Sequence, residues 1–224
     1  MNPFQVLAAV AAAWERLGPY LTRLAAEPGA RLAAALEGLR AAGGEGERRG
    51  HAEAAARLVL GCLPPEEAGR LGGGGGEGGR YSENARDVTV HGFRATDLAV
   101  LLVDGSPMVG PVLGAVRERL LAQPVLDDAD VRRRGGDPTA PDLIRLPGAG
   151  GRAVLPRFQF REGVRPWRVV LEVNALLDVG RDPWGAADWW LSANAWLRTE
   201  PAALLGTARD AELVAAARSL LDGE

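Results

Sequence analysis

The chain has 224 residues, a formal net charge of −3 and a mean hydropathy of −0.05, which is typical of a globular protein with a sizeable core. A single cysteine, Cys62, excludes an internal disulfide, and no apolar run is long enough to cross a membrane, so we expect a cytoplasmic protein. His51 and His91 are the only histidines, and no third ligand type lies near either, so the sequence predicts no metal site and no cofactor.

Residues 1–70 are rich in alanine and follow helical spacing. The pattern predicts short helices over 4–17, 20–26, 30–42 and 51–63, separated by Gly and Pro residues. They form either a helical bundle or a dimerisation region, and the second alternative implies a homo-oligomer. The sequence GGGGGEGG at 72–79 is followed by no Gly-Lys-Ser/Thr ending, so it predicts a flexible linker over 71–86 rather than a phosphate-binding loop.

Residues 87–154 are predicted to form a small mixed middle domain with a degenerate helix-turn-helix. Asp127 or Asp128 caps a short helix that ends at Arg133, and Asp142 caps a second helix over 143–146, before an extended segment. Nine arginines and three acidic residues lie within 131–171, which favours either duplex DNA as a partner or a solvated basic face. The candidate phosphate-contacting residues are Arg132, Arg133, Arg134, Arg145 and Arg152.

Five of the six tryptophans lie between Trp167 and Trp196, in a segment that is predicted to be a compact all-α domain over 155–224. Helical spacing predicts one helix over 167–177. Asp182 before Pro183 is typical of the N-terminus of a second helix, which ends at about Leu191. Along this helix, Trp184 and Trp190 lie near the apolar stripe and are predicted core residues. Trp189 points elsewhere and is the better interface candidate, because tryptophan is frequent among residues that dominate protein interfaces. The predicted fold class of the whole chain is therefore mainly α.

Four motifs occur in order from Leu155 to Leu221, over roughly a third of the chain: LPRFQF, VNALL, DPWGAADWWLSANAWL and EPAALLGTARDAELVAAA. Their order and spacing resemble the toxin-binding domain of the Xre/MbcA/ParS-like antitoxins. The preceding basic segment is similar, more loosely, to the degenerate helix-turn-helix that comes before this domain in some members.

The resemblance implies a bacterial type II antitoxin-like protein that binds and neutralises a RES-domain toxin, an enzyme that consumes NAD. It also implies an upstream region that dimerises, binds DNA and regulates transcription. In such systems the C-terminal tail blocks the cofactor pocket of the toxin. Carried over to this chain, the partner-binding residues are Trp184, Trp189, Trp190, Asn194 and Trp196, together with the terminal Asp222, Gly223 and Glu224.

Other classes of function compete with this hypothesis. A stand-alone DNA-binding regulator would use the arginines, and an adaptor or scaffold protein would use the same tryptophans without a toxin. An enzyme would need a catalytic pair, for which Asp182 and Asp188 are the nearest candidates. Because Asp182 is more simply a helix cap and the sequence offers no nucleophile–base pair, we expect a non-enzymatic protein.

Overall fold

The computed structural model of the protein describes residues 1–73 and 88–221. It is mainly helical, which confirms the predicted fold class. Most of the predicted linker over 71–86 lies outside the described residues, and so do the predicted tail residues Asp222, Gly223 and Glu224. None of the described helices combines the length and the apolar character that a membrane span requires.

The chain divides into two compact units. The N-terminal unit comprises Met1–Ala115 with Ala149–Gly151, and the C-terminal unit comprises Val116–Gly148 with Arg152–Glu224. These boundaries differ from the predicted ones, because the 87–154 segment is shared between the two units. Its first part packs against the N-terminal helices, and the strands in its second part pair with one another inside the C-terminal unit.

The N-terminal unit is a helical assembly with one short hairpin. Its elements are α1 (Pro3–Ala12), α2 (Trp14–Thr22), α3 (Ala26–Ala41), α4 (Glu45–Cys62), α5 (Pro65–Gly73), β1 (Thr89–Val90), β2 (Phe93–Arg94), α6 (Ala95–Leu102) and the start of α7 (Gly110–Leu121). The hairpin turn has positive φ at both central residues, 51° at His91 and 83° at Gly92, as a two-residue turn between antiparallel strands requires. The α1 helix packs against α4 and α6, and α3 packs against the same two helices.

Leucine and alanine side chains form the core of this unit. Leu7, Leu32, Leu36 and Leu98 are fully buried, and α4 contributes small side chains such as Ala55. The small residues let neighbouring helices approach closely. The alanine-rich character of the sequence therefore supplies core surface as well as helix propensity.

Two predicted helix breaks are wrong. The α2 helix continues through Pro19, and the α3 helix begins at Ala26 and includes Pro28. Pro28 lies in the first turn of α3, where a backbone N–H has no acceptor inside the helix, so its missing N–H costs nothing there. Pro19 lies deeper in α2, which keeps its helical path and lacks one backbone hydrogen bond.

The C-terminal unit is built from short elements. They are the end of α7, β3 (Val125–Asp127), α8 (Asp128–Arg133), β4 (Leu146–Pro147), β5 (Ala153–Pro156), α9 (Arg168–Leu176), α10 (Pro183–Leu191) and α11 (Asp210–Leu221), with 3₁₀ turns at Arg157–Gln159, Glu162–Val164 and Pro201–Leu204. The three strands form an antiparallel sheet in the order β3-β5-β4, with Leu126 opposite Leu155. The α9 and α10 helices have nearly the predicted bounds, and α9 packs against α11.

The predicted helix-turn-helix is wrong in its second half. Its first helix exists as α8, capped by Asp127, whose Oδ1 accepts from the Asp130 N–H at 2.6 Å. The predicted second helix does not form, because Asp142 has a left-handed φ of 63° and Leu146 pairs with Val154 across the sheet. A capping residue has an extended backbone, so Asp142 does not start a helix here.

Candidate partner-binding site

The α10 helix carries three of the predicted partner-binding residues, Trp184, Trp189 and Trp190, and local hydrogen bonding defines its start. Asp182 Oδ1 accepts from the Gly185 N–H at 2.8 Å, and Pro183 occupies the first helical position. Asp182 is therefore a helix cap, as the sequence predicts. Trp184 and Trp190 are buried, with exposed fractions of 9% and 0%. Their prediction as core residues is confirmed, and this burial removes both from the set of partner-contacting candidates.

A chain of buried polar side chains holds Trp190 in place. The Trp190 indole Nε1–H donates to Asn174 Oδ1 at 2.8 Å, and Asn174 Nδ2 donates to the Asp142 carbonyl at 2.7 Å and to Gln159 Oε1 at 3.3 Å. Gln159 Oε1 accepts from the Ile144 N–H at 2.7 Å, and Gln159 Nε2 donates back to the Ile144 carbonyl at 3.0 Å. We call this the Gln159–Asn174–Trp190 network. It joins α9 and α10 to the 142–144 segment inside one core.

The network explains which residues of the sequence motifs are structural. Gln159 lies in LPRFQF, Asn174 in VNALL and Trp190 in the α10 motif, and all three side chains are fully buried. Burying an amide is favourable only when its donors and acceptors are satisfied, which the mutual hydrogen bonds achieve. Sequence reasoning missed Gln159 and Asn174, although a polar residue inside an apolar motif was the available signal.

Trp189, which the sequence analysis names as the better interface candidate, is half-buried in the structure. Its ring is half-buried and meets the Trp190 ring edge-on, with centroids 5.0 Å apart and planes at 87°. Its Nε1–H is buried and has no hydrogen-bond partner among the described residues. Phe158 packs on the Trp190 ring at a centroid distance of 5.4 Å, so Trp190 lies between two aromatic neighbours. Trp189 therefore supports the core more than it offers a surface.

Trp196 is the exposed tryptophan of the predicted set, with 73% of its surface accessible. It lies on a closed turn in which Asn194 Oδ1 accepts from the backbone N–H of Trp196 at 2.9 Å and of Leu197 at 3.1 Å. The turn is closed by an Asn194–Thr199 bridge, with the Asn194 N–H donating to the Thr199 carbonyl at 3.0 Å. Leu197 is buried and anchors the turn. We call residues 194–199 the aromatic turn.

Arg119 stabilises the end of α10, two residues before the aromatic turn begins. Its guanidinium donates to the Leu191 carbonyl at 3.0 Å and to Ser192 Oγ at 3.2 Å, and it pairs with the Asp188 carboxylate. Asp188 in turn accepts from the Ser192 hydroxyl at 3.0 Å. A cation at a helix C-terminus satisfies the last carbonyls, so this contact ends α10 at a defined residue. Asp188 is thus engaged in an ion pair, not in a catalytic pair with Asp182.

Three of the five candidate DNA-contacting arginines form ion pairs with nearby aspartates. Arg132 and Arg145 lie 3.6 Å and 3.0 Å from Asp128, and Arg133 pairs with Asp130. The Arg133 hydrogen bond and the Asp127 backbone N–H hold the pKa of Asp130 below its ordinary value. These aspartates neutralise much of the basic charge on α8.

The other two candidates, Arg134 and Arg152, are exposed. The predicted 143–146 helix does not form, so no second helix positions these arginines for a DNA groove. The structure therefore does not place the five arginines on one recognition helix.

The two histidines and the cysteine lie at separate places in the N-terminal unit. His51 packs over Gly38 between α4 and α3, and His91 lies in the hairpin turn. Cys62 is at the end of α4. Within residues 1–73 and 88–221, no group of three or more His, Cys, Asp or Glu side chains is arranged to hold a metal ion.

A cleft of about 560 Å³ in the C-terminal unit is lined partly by Asp142, whose carbonyl belongs to the network. Asp142, Arg145 and Asp178 supply its charged lining. The Arg145 guanidinium is already engaged by Asp128 and by the Pro138 carbonyl. Its charged side chains therefore meet as one engaged arginine and two aspartates.

No protein-family model matches this sequence, and no significant similarity was found to a curated protein or to a solved structure. The functional assignment therefore depends on the geometry of the aromatic turn and on the motif resemblance.

Proposed function

We propose that the chain is a non-enzymatic, antitoxin-like protein whose C-terminal unit binds and neutralises a partner toxin. The observation that supports this most directly is Trp196, a large aromatic side chain that is 73% exposed on a hydrogen-bonded turn. An indole buries a large apolar area on binding and has only two side-chain rotors, so its immobilisation costs little entropy.

The turn lowers the cost of binding further. Asn194 fixes the backbone on both sides of Trp196, and buried Leu197 ties the turn to the core. A contact residue that is held in place before association loses less conformational freedom when the partner arrives. In this proposal Trp196 is the partner-contacting residue, and Asn194 acts by positioning it.

The other tryptophans of the predicted partner-binding set have a different role in this proposal. Trp184 and Trp190 are buried core residues, and the half-buried Trp189 packs edge-on against Trp190. Their replacement would impair binding indirectly, through loss of the fold. The terminal Asp222, Gly223 and Glu224 remain proposed partner contacts because the resemblance implies them.

The class of partner follows from the resemblance to the antitoxin domain, which implies a RES-type enzyme that consumes NAD. A DNA-binding role is not included, since α8 lacks a second helix and its arginines are largely ion-paired. An adaptor protein would use the same aromatic turn on another partner, and the enzymatic activity of the partner distinguishes the two functions.

The proposal is tested by co-expressing the full chain with the protein encoded beside it and measuring NAD consumption by the partner. We expect the chain to co-purify with the partner and to suppress its activity. Trp196→Ala should weaken binding about 30-fold or more, because truncating a dominant interface residue costs about 2 kcal/mol. Tyr20→Ala is the matched control, since Tyr20 is an exposed aromatic residue of the N-terminal unit.

Two outcomes would reject the proposal. One is a neighbouring protein that binds the chain but consumes no NAD, which would favour the adaptor function. The other is a Trp196→Ala variant that inhibits as well as the wild-type chain while Tyr20→Ala behaves in the same way.

A further inference from the structure

A second candidate site lies in the N-terminal unit, far along the chain from the five tryptophans of the C-terminal unit. It is a pocket of about 250 Å³ whose charged lining consists of Arg40, Arg48 and Arg94. These arginines come from three elements: the last turn of α3, the first half of α4, and the residue before α6. Three guanidinium groups at one concave site create a local positive potential that a single surface arginine does not.

Arg40 is held in position by a buried carboxylate. Its Nη1 lies 2.9 Å from Asp104 Oδ1, and the same oxygen accepts from the Gly150 N–H at 2.8 Å. The Asp104 side chain is fully buried, whereas that of Arg40 is 21% exposed. Because a guanidinium has five N–H donors, the bond to Asp104 orients Arg40 and leaves other donors for a bound group.

Arg48 has no carboxylate partner among the described residues. Its Nη2 donates to the Ala42 carbonyl at 2.9 Å, at the end of α3, and its Nε–H is buried without an acceptor. A half-buried cation without a counter-ion and with an unsatisfied donor is unfavourable. An oxyanion in the pocket would neutralise this charge.

The start of α6 forms the remaining polar wall. Arg94 precedes the helix, and Ala95 and Thr96 line the pocket from its first turn. The Asp97 carboxylate accepts from the Arg94 backbone N–H at 2.8 Å and so fixes this helix start. The Asp97 carboxylate already lies at the positive end of this helix dipole, so the anion contacts in the pocket come from the arginine side chains.

We propose that this pocket binds the phosphoryl group of a small phosphorylated molecule. Guanidinium groups match the geometry of phosphate oxygens and bind them through paired N–H donors, and a tetrahedral dianion can accept from several directions at once. Phe4 and Leu39 supply an apolar wall for the organic part of the ligand. The pocket volume suits such a molecule.

The site is tested with the full chain and inorganic phosphate, by calorimetric titration and by thermal unfolding, at an ionic strength matched with chloride. Acetate in a parallel titration represents a carboxylate ligand. We expect phosphate to bind and to raise the unfolding temperature, and acetate to do so at least tenfold more weakly. Arg48→Gln should weaken phosphate binding about tenfold, because a charge-assisted contact is lost.

Arg49→Gln is the matched control, since Arg49 lies next to Arg48 on α4 but is exposed and pairs with Glu53. It should leave phosphate affinity unchanged. The proposal is overturned if phosphate does not bind above the chloride control, if acetate binds equally well, or if both variants lose affinity equally. It is also overturned if Arg48→Gln lowers the unfolding temperature of the free protein but leaves phosphate affinity intact, since Arg48 would then only clamp the end of α3.

Discussion

Different kinds of interaction stabilise the core of each unit. In the N-terminal unit, buried leucine and alanine side chains pack between long helices, and its buried polar groups lie at helix ends, as Asp97 and Asp104 do. In the C-terminal unit, Gln159 and Asn174 lie buried in the core and bond to each other, and Asn174 also accepts from the Trp190 indole N–H. One core is mainly apolar, and the other is organised by hydrogen bonds.

The helix pairs α3–α4 and α9–α10 of the two units differ in length. The α3 and α4 helices have 16 and 18 residues, whereas α9 and α10 have nine each. Isolated helices of nine residues are marginal, so short elements depend on tertiary contacts for their structure. A hydrogen-bond network between such elements specifies one arrangement, because its donors and acceptors are satisfied in that arrangement only. The aromatic turn depends on this specification, since it follows α10 directly.

Among the substitutions that compare the two cores, Asn174→Leu is expected to lower the free energy of unfolding most. Leucine has a similar size, but it leaves the Trp190 indole N–H and the Asp142 carbonyl without their partner. Each buried orphan group costs about 1–3 kcal/mol, so we expect a loss of about 3 kcal/mol in the free energy of unfolding. Urea unfolding followed by tryptophan fluorescence measures it, because five of the six tryptophans lie in the C-terminal unit.

Leu36→Met is the matched substitution in the N-terminal unit. Leu36 is fully buried on α3, and methionine keeps its volume and apolar character. Apolar swaps of equal volume usually cost less than about 1.5 kcal/mol. If Leu36→Met were as damaging as Asn174→Leu, when urea unfolding is followed by circular dichroism, the proposed difference between the two cores would be refuted.

The sequence predicts most of the elements whose signals are local. Helical spacing locates α4 and α9, and the Asp182-Pro183 pair locates the start of α10 because the cap and the first-turn proline act on adjacent residues. The stripe of α10 also places Trp190 in the core. These features depend on residues within one or two helical turns of one another.

The features that the sequence did not predict depend on distant partners. The 143–146 segment has the composition of a short helix, yet its conformation follows from pairing with β5 and from the Gln159 bonds to Ile144. Trp189 lies off the predicted stripe but is covered by contact with Trp190. Hydrogen bonds between residues 15 or more positions apart leave no period in the sequence, so no local pattern indicates them.

A smaller effect is expected at the contact between α3 and α4. A Cβ atom on Gly38 would overlap the His51 imidazole, so His51 is a helix-packing residue. Alanine favours a helix interior by about 1 kcal/mol over glycine. We expect Gly38→Ala to raise the free energy of unfolding of a His51→Ala protein by about that amount. In the wild-type protein the increase should be smaller, because the His51 imidazole must move to make room for the new Cβ atom. Equal gains in both backgrounds, from urea unfolding of all four proteins, would show that the two residues are not coupled.

The smallest expected effect concerns Asp130, on the surface of the C-terminal unit. The Arg133 hydrogen bond favours its charged form and lowers its pKa below the ordinary value of 3.8. Its contribution to stability is therefore present at neutral pH and is lost as the pH falls from the unfolded-state pKa through the lowered folded-state pKa. We expect Arg133→Gln to raise the pKa of Asp130 towards its ordinary value. Arg132→Gln removes one of the two arginines that pair with Asp128 and should leave the pKa of Asp130 nearly unchanged. A carboxyl-carbon NMR titration measures both pKa values.

Repeating the titration with duplex DNA tests the competing DNA-binding function, because a phosphate that pairs with Arg133 would raise the pKa of Asp130. An unchanged pKa would mean that α8 keeps its own ion pair and does not contact DNA through Arg133.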